Sequence, residues 1–356
     1  MTEKLRPIAV YKENIMERNK HVDVARGIAM ICIVLGHLGN SEINRVVFTF
    51  HVTIFFLLTG YYTSTKTSIK DFIKRKFRTL IVPYAVTCLM VLALVVPLNT
   101  LLNGGENNLG RLEQYFFASL YGAGDSYQEP FVIYEIGAIW FLLATFWGTI
   151  FLRLLLNLER SWLRILIVIS IFAAAYYSSS ICWLPFSIQA GGCALLFMYI
   201  GYIGNSIVPA IKNLGIEIKI AILCLMLWIW IEFIFNFQGF WLVHCNIGRG
   251  AVDVISSICA CCCVLFISWL ICKKLNFIAN ALAYLGRYSL LVLSVHLVEL
   301  DTVWWWNCAT MLFGNDITEA GYLWFRIIGK FALIIPCVVI LSKWRFSRKI
   351  FGYRVD

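Results

Sequence analysis

Apolar runs of nearly 20 residues recur along this chain, each bounded by polar or charged clusters. They cover 22–39, 44–62, 78–97, 135–152, 163–179, 186–204, 218–237, 250–271, 280–298 and 323–342. A hydrocarbon core is roughly 30 Å thick and a helix rises about 1.5 Å per residue, so each run is long enough to cross it. Only helices and closed barrels satisfy their backbone hydrogen bonds in lipid, and runs of this length are helical. The pattern therefore predicts an all-α fold, a polytopic membrane helical bundle of about ten transmembrane helices. No polar stretch is long enough to form a soluble domain. The expected organisation is an N-terminal segment 1–21, a membrane domain 22–342 and a basic tail 343–356.

Composition agrees with this, and charge adds orientation. Of the 356 residues, 60% are hydrophobic and 14% charged, against about 25% charged in a soluble domain. The net charge of +10 does not point to nucleic acid, because Lys and Arg fall in alternate connections. One set contains Lys4, Arg6, Lys12, Arg18 and Lys20, then 66–78, then Arg153, Arg160 and Arg164. It continues with Lys212, Lys219, Lys273 and Lys274 and ends in the tail with Lys343, Arg345, Arg348, Lys349 and Arg354. The other set holds only Arg45, Arg111 and Arg249. By the positive-inside rule, both termini are expected in the cytoplasm of a multi-pass protein of the cytoplasmic membrane. The polar first 20 residues lack the short apolar core of a signal peptide.

Several features have an ordinary structural explanation. Most of the Cys residues, including Cys259, Cys261, Cys262 and Cys263, lie inside apolar spans without accompanying His, so packing is expected there rather than metal binding. Trp304, Trp305 and Trp306 follow the ninth span, where an interfacial aromatic belt belongs. Two long outer connections are acidic. The connection 98–134 carries Glu106, Glu113, Asp125 and Glu129, and 299–322 carries Glu299, Asp301, Asp316 and Glu319. Each reads as a solvated loop or as a lid over an acceptor site.

The first span carries Asp23, Arg26 and His37. At roughly 100° per residue, eleven steps from Arg26 to His37 return to within about 20° of the same face, and Asp23 lies close to it. Along the axis Arg26 and His37 are about 16 Å apart, so they serve different depths of one cavity. Burying such groups in lipid costs about 2.5–3.5 kcal/mol for a central Arg, which makes a working site the first explanation. Snorkelling of Arg26, or a structural pair with Asp23, would also account for part of it.

The spacing Asp23-x2-Arg26-x10-His37 resembles the first-helix signature of the acyltransferase-3 family of integral membrane acyltransferases. Further motifs follow in order. FHVTIFFLLTGYY (50–62) is similar to the second-helix motif, with Thr59 where Ser is commoner. RKFRTLIVPY (75–84) resembles an Arg-x-x-Arg motif followed by Pro. Trp140, Phe141 and Leu142 resemble an aromatic patch, and LGRYSLLVLSVH, with Gly286, Ser289 and His296, a late-helix motif. His51 before the Phe pair resembles the branch of fucose and exopolysaccharide O-acetyltransferases. The resemblance implies a ten-helix core, a donor acyl-CoA, usually acetyl-CoA, reached from the cytoplasm, and an acceptor hydroxyl on a surface carbohydrate. No permanently bound cofactor is implied, and assembly with a second copy is left open.

Mechanistic expectations follow. Arg75 and Arg78, at the cytoplasmic mouth of the third span, present planar forks suited to the phosphates of acyl-CoA, although positive-inside anchoring explains them equally. His37, His51, Glu232, Asp253, His296, Arg326 and Lys330 fall toward the outer halves of their spans and are expected to line a cavity for a polar acceptor. Structural pairing is an equal explanation for the charged members. His37 is the expected general base, since neutral imidazole suits proton removal near neutral pH. A transient acyl-histidine is the alternative. His51 or Ser289 would stabilise the oxyanion. Two rival classes remain: a secondary transporter, against which no repeat and no corresponding pair of interrupted helices is found, and a membrane sensor or anchor.

Overall fold

The computed structural model describes residues 19–353. Lys4, Arg6, Lys12 and Arg18, most of the segment 1–21, and Arg354 lie outside the described residues. The described chain is helical throughout: α1 (Lys20–Gly36), α2 (Ser41–Val47), α3 (Thr53–Tyr61), α4 (Ile69–Lys76) running through a π turn (Phe77–Ile81) into α5 (Val82–Asn103), α6 (Asn108–Tyr121), α7 (Trp140–Leu155), α8 (Ser161–Ser179), α9 (Ile188–Lys212), α10 (Ile216–Phe235), α11 (Ala251–Lys274), α12 (Asn276–Arg287), α13 (Ser289–Thr302), α14 (Trp305–Phe313), α15 (Glu319–Lys343) and α16 (Arg345–Ile350). Among the described residues, the only β pairing is two isolated bridges, Ala123 with Glu135 and Tyr127 with Ile133.

Among the described residues, seven helices are long and apolar enough to cross a membrane, or eight if the bent pair α12–α13 counts as one span. The difference from ten apolar runs has local causes. Helix α1 has 17 residues, about 25 Å at 1.5 Å per residue, just short of a full crossing. The run 44–62 is broken into α2 and α3 by turns over 48–52. The run 280–298 bends by 73° between Arg287 and Ser289. Two spans expected to be unbroken are therefore interrupted: the first break contains His51, and the second precedes His296 by about two turns of α13. The third span is longer than expected. Ile69–Asn103 is continuous over 35 residues, roughly 50 Å, and α6 folds back along it. The connection 98–134 is thus more than half helix, with a turn over 104–107 and a loop beginning at 122.

Helix α1 packs against α11, α12 and α13, while α3 packs on α9 and α9 on α7 and α8. Helices α8 and α10 turn outward, leaving Ile165, Ile169, Leu225 and Trp228 exposed, as lipid-facing helices do. The α1–α12 contact is backbone against backbone. A Cβ on Gly286 would lie 1.8 Å from the Asp23 carbonyl oxygen, and one on Gly27 2.1 Å from that of Leu282. Small residues at crossings let membrane helices approach this closely. Gly286→Ala is therefore expected to separate α1 from α12 at a cost of about 1–3 kcal/mol or more, lowering the thermal midpoint in detergent. An unchanged midpoint would show that the crossing is looser than this geometry.

Candidate active site

The break before α3 and the bend before α13 bring three histidines together at the end of α1. His37 follows α1, and its Nδ1 lies 2.8 Å from the Ile33 carbonyl oxygen one turn back. A carbonyl only accepts, so Nδ1 carries the proton and Nε2 is a bare lone pair. His51 repeats the arrangement in the turn between α2 and α3, with Nδ1 2.7 Å from the Val47 oxygen. Both side chains line a cavity of about 500 Å³. Neither Nε2 is hydrogen-bonded within its own α turn, which leaves these atoms for a ligand.

Behind His37 stands His296, fully buried on α13. The two rings meet edge-on with centroids 5.1 Å apart, and His296 Nε2 lies 3.4 Å from His37 Nδ1. His296 Nδ1 donates to Glu299 Oε2 at 2.9 Å. Lys330 Nζ donates to Glu299 Oε1 at 2.5 Å, and the Trp305 indole N–H bonds the same oxygen. Glu299 accepts from three donors, which holds it as a carboxylate and fixes the His296 tautomer with its Nε2 lone pair toward His37. Arg326 secures the other side of His37, donating to the carbonyl oxygens of Leu38 at 2.8 Å and His37 at 3.2 Å.

The cavity continues toward the loops. Trp140, Phe141, Phe48 and Trp241 give it aromatic walls, and Asp125, Glu135, Asp301 and His244 give it polar ones. His244 Nε2 lies 2.9 Å from Asp125 Oδ2, and its Nδ1 lies 3.1 Å from the Tyr127 hydroxyl. Tyr127 stacks on Trp183 with centroids 4.9 Å apart. The hydrogen bond from His244 holds the Asp125 carboxyl below the usual carboxylate range. On the side toward Arg26 the cavity ends at Ile33 and Leu293.

The residues singled out by sequence divide into four groups. His37 and His51 line the cavity and His296 backs it. Glu232 and Asp253 lie elsewhere, closed around Arg249: its guanidinium reaches Glu232 at 2.7 and 2.9 Å and Asp253 at 2.7 and 2.8 Å. That cluster ties the end of α10 to the start of α11, which is the structural pairing weighed for them. Ser289 sits at the α12–α13 bend, outside the cavity lining. Asp23 and Arg26, their side chains 4.0 Å apart, lie near the α12 crossing and not on the cavity. Arg26 and Arg75 both act electrostatically on Lys76, so these three cations gather at that end of the bundle. Arg75 packs over Phe72 at 5.7 Å, and Arg78 is exposed in the π turn.

Sequence reasoning placed Glu299 and Asp301 in an outer connection, read as a solvated loop or as a lid over an acceptor site. They lie on α13, with Glu299 buried, because the helix continues to Thr302. Trp305, read as part of an interfacial belt, turns inward to Glu299. His244 and Asn44 carried no signal of their own: one comes from an irregular loop and the other from a short helix.

The fold and site define an integral membrane protein with a buried carboxylate–histidine pair behind a cavity-facing imidazole. A family model described as an acyltransferase domain matches residues 19–342, and the chain belongs to that family, the acyltransferase-3 membrane acyltransferases. No curated protein and no solved structure matches the chain.

Proposed function

We propose that the protein moves an acyl group, acetyl in the simplest case, from acyl-CoA to a hydroxyl of a cell-surface glycan or its lipid-linked precursor, from the cytoplasmic membrane. The observation that carries this is the His37 imidazole, locked by Ile33 and backed by His296 and Glu299, with Nε2 left for a ligand. In the reaction, His37 Nε2 takes the proton of the acceptor hydroxyl as its oxygen attacks the thioester carbonyl carbon. The tetrahedral intermediate collapses, the C–S bond breaks, and the leaving sulfur takes the proton from the imidazolium to give free CoA. Positive charge on His37 is stabilised by His296 Nε2 and, one residue beyond, by Glu299. His51 orients the acceptor, and the Asn44 side chain, which also lines the cavity, supplies a neutral donor for the oxyanion.

The donor approaches from the end carrying Arg26, Arg75, Arg78 and Lys76, where the phosphates find cations, and its thioester passes Ile33 and Leu293 to reach His37. Arg75→Ala and Arg78→Ala are each expected to weaken CoA binding about tenfold, or ~1.4 kcal/mol. Titration of CoA against protein in detergent reads this, and unchanged affinity in both variants removes the donor site from that end.

The breaks at 48–52 and 288 fall in the second and ninth apolar runs, which are not corresponding positions of two halves, so they do not supply the paired interruptions of a transporter repeat. The test is direct. Purified protein in lipid nanodiscs should release CoA from acetyl-CoA only when acceptor is present. Solute flux in proteoliposomes without any acceptor-dependent CoA release would favour the transporter instead.

A further inference from the structure

Apart from histidines, the ionisable groups lining the cavity in front of His37 are, among the described residues, carboxyls alone. Asp125, Glu135 and Asp301 face it, and among the described residues neither Lys nor Arg lines it. Asp125 is held as the carboxylate by His244 at 2.9 Å. Glu135 hydrogen-bonds Asp125, and burial and that neighbouring charge push its carboxyl up, so the pair carries its charge on Asp125. Asp301 sits beside Tyr115 on the α13 side. Two polar atoms on this lining, Asn44 Oδ1 and Asp301 Oδ2, are buried without a hydrogen bond among the described residues, an arrangement that a ligand's donors relieve. The rings of Trp140, Phe141 and Trp241 line the same cavity. At about 500 Å³, the space lies within the ~300–1,000 Å³ usual for small-ligand sites.

A carboxylate accepts hydrogen bonds, and a protonated carboxyl such as Glu135 also donates one, so this wall binds hydroxyls or, at the Asp125 charge, an ammonium group. An ammonium also gains from the aromatic faces. A carboxylated or sulfated sugar brings a like charge against the Asp125–Glu135 pair in a site partly shielded from water, which is disfavoured. Resting on the transferase reading above, we infer that the acceptor is a neutral or amine-bearing sugar and that anionic sugars are rejected by the charge of the Asp125–Glu135 pair. The same field keeps the phosphates of CoA out of this chamber, so only the uncharged thioester end meets the acceptor here.

Three ligands that share a ring and differ in one group test this: methyl glucoside, methyl glucosaminide and methyl glucuronide. Binding to the full-length protein in nanodiscs is read by saturation-transfer NMR without donor, and acceptor-dependent CoA release is read separately. The glucoside and glucosaminide are expected to bind, with the glucuronide roughly tenfold or more weaker. The double variant Asp125→Asn/Glu135→Gln should narrow that gap to about threefold or less. Should that variant not fold, raising the salt on the unaltered protein should narrow the gap through screening. Glucuronide binding equal to or tighter than glucoside overturns the inference. So does failure of all three to bind, or a gap that neither the variant nor salt reduces. If the binding order holds but none of the three supports CoA release, charge selection stands and the transferase reading falls.

Discussion

Replacing His37 with alanine is expected to lower acceptor-dependent CoA release by about 10²–10⁴-fold, the usual contribution of a positioned general base. The thermal midpoint should change little, because the His296–Glu299–Lys330 chain does not depend on the His37 ring. His37→Gln is the sharper variant. Its amide can still donate to the Ile33 carbonyl, so the packing survives, but it offers no basic nitrogen. The two variants should therefore be equally inactive, with an unaltered CoA affinity, since the cations at the far end of α1 lie about 16 Å away along the axis. Added imidazole should restore part of the turnover in the alanine variant, where the cavity of about 500 Å³ has gained the space of a ring. Turnover within threefold of the unaltered protein in either variant would remove His37 from the chemistry. Direct transfer also predicts no burst of CoA release before steady state. A burst with stoichiometric acylation of His37 would instead identify the two-step route.

The sequence made the polar stripe of α1 legible because a helix converts spacing into direction: eleven residues are close to three turns. That same spacing gives no information on where a cavity ends. Arg26 shares a stripe with His37, yet the buried side chains of Ala29 and Met30 intervene and the cavity stops at Ile33. The His296–Glu299 pair is an i,i+3 relation and was readable in principle. It was missed because hydropathy falls after Val298, which resembles a helix end, whereas Lys330 and Trp305 supply the partners that let α13 continue with a buried carboxylate. Those partners lie 31 and 6 residues away, and only tertiary packing joins them.

The breaks in the runs 44–62 and 280–298 were hidden for a different reason. When nearly every position is apolar, periodicity vanishes, and a continuous run does not distinguish one straight helix from two short ones. The break at 48–52 has a consequence that hydropathy could not show. It turns His51 so that its imidazole reaches the Val47 carbonyl and faces the cavity, where a straight helix would have fixed it by its place on the 3.6-residue spiral. His244 and Asp125 lie on two irregular connections 119 residues apart in number and have no spacing rule to reveal them. Glu232 and Asp253 were legible as charges in lipid, but Arg249 absorbs both, which shows why an intramembrane charge is a reason to look for a site and not proof of one.

Lys330→Met is expected to cost about 3–5 kcal/mol of stability, because it leaves Glu299 as a buried charge without its counter-ion. Glu299→Gln should do the same from the other side, leaving a buried ammonium. Both single variants are expected to show lowered thermal midpoints and little transfer, and taken alone neither result separates a structural role from a positioning one. The double variant Lys330→Met/Glu299→Gln does separate them. It carries no buried charge at these positions, so most of the stability should return. The proton arrangement does not return with it. Glu299 Oε2 forces His296 Nδ1 to donate, which points the Nε2 lone pair at His37. A glutamine amide can present its NH₂ to His296 Nδ1 instead, and the His296 proton then moves to Nε2. An N–H then faces the Nδ1–H of His37 across 3.4 Å, the imidazolium loses its stabiliser, and the His37 tautomer is no longer fixed. Near-native midpoint with CoA release still reduced by about 100-fold is the expected result for a positioning residue. Recovery of both together would reduce Glu299 and Lys330 to a structural ion pair and leave His37 to act without them.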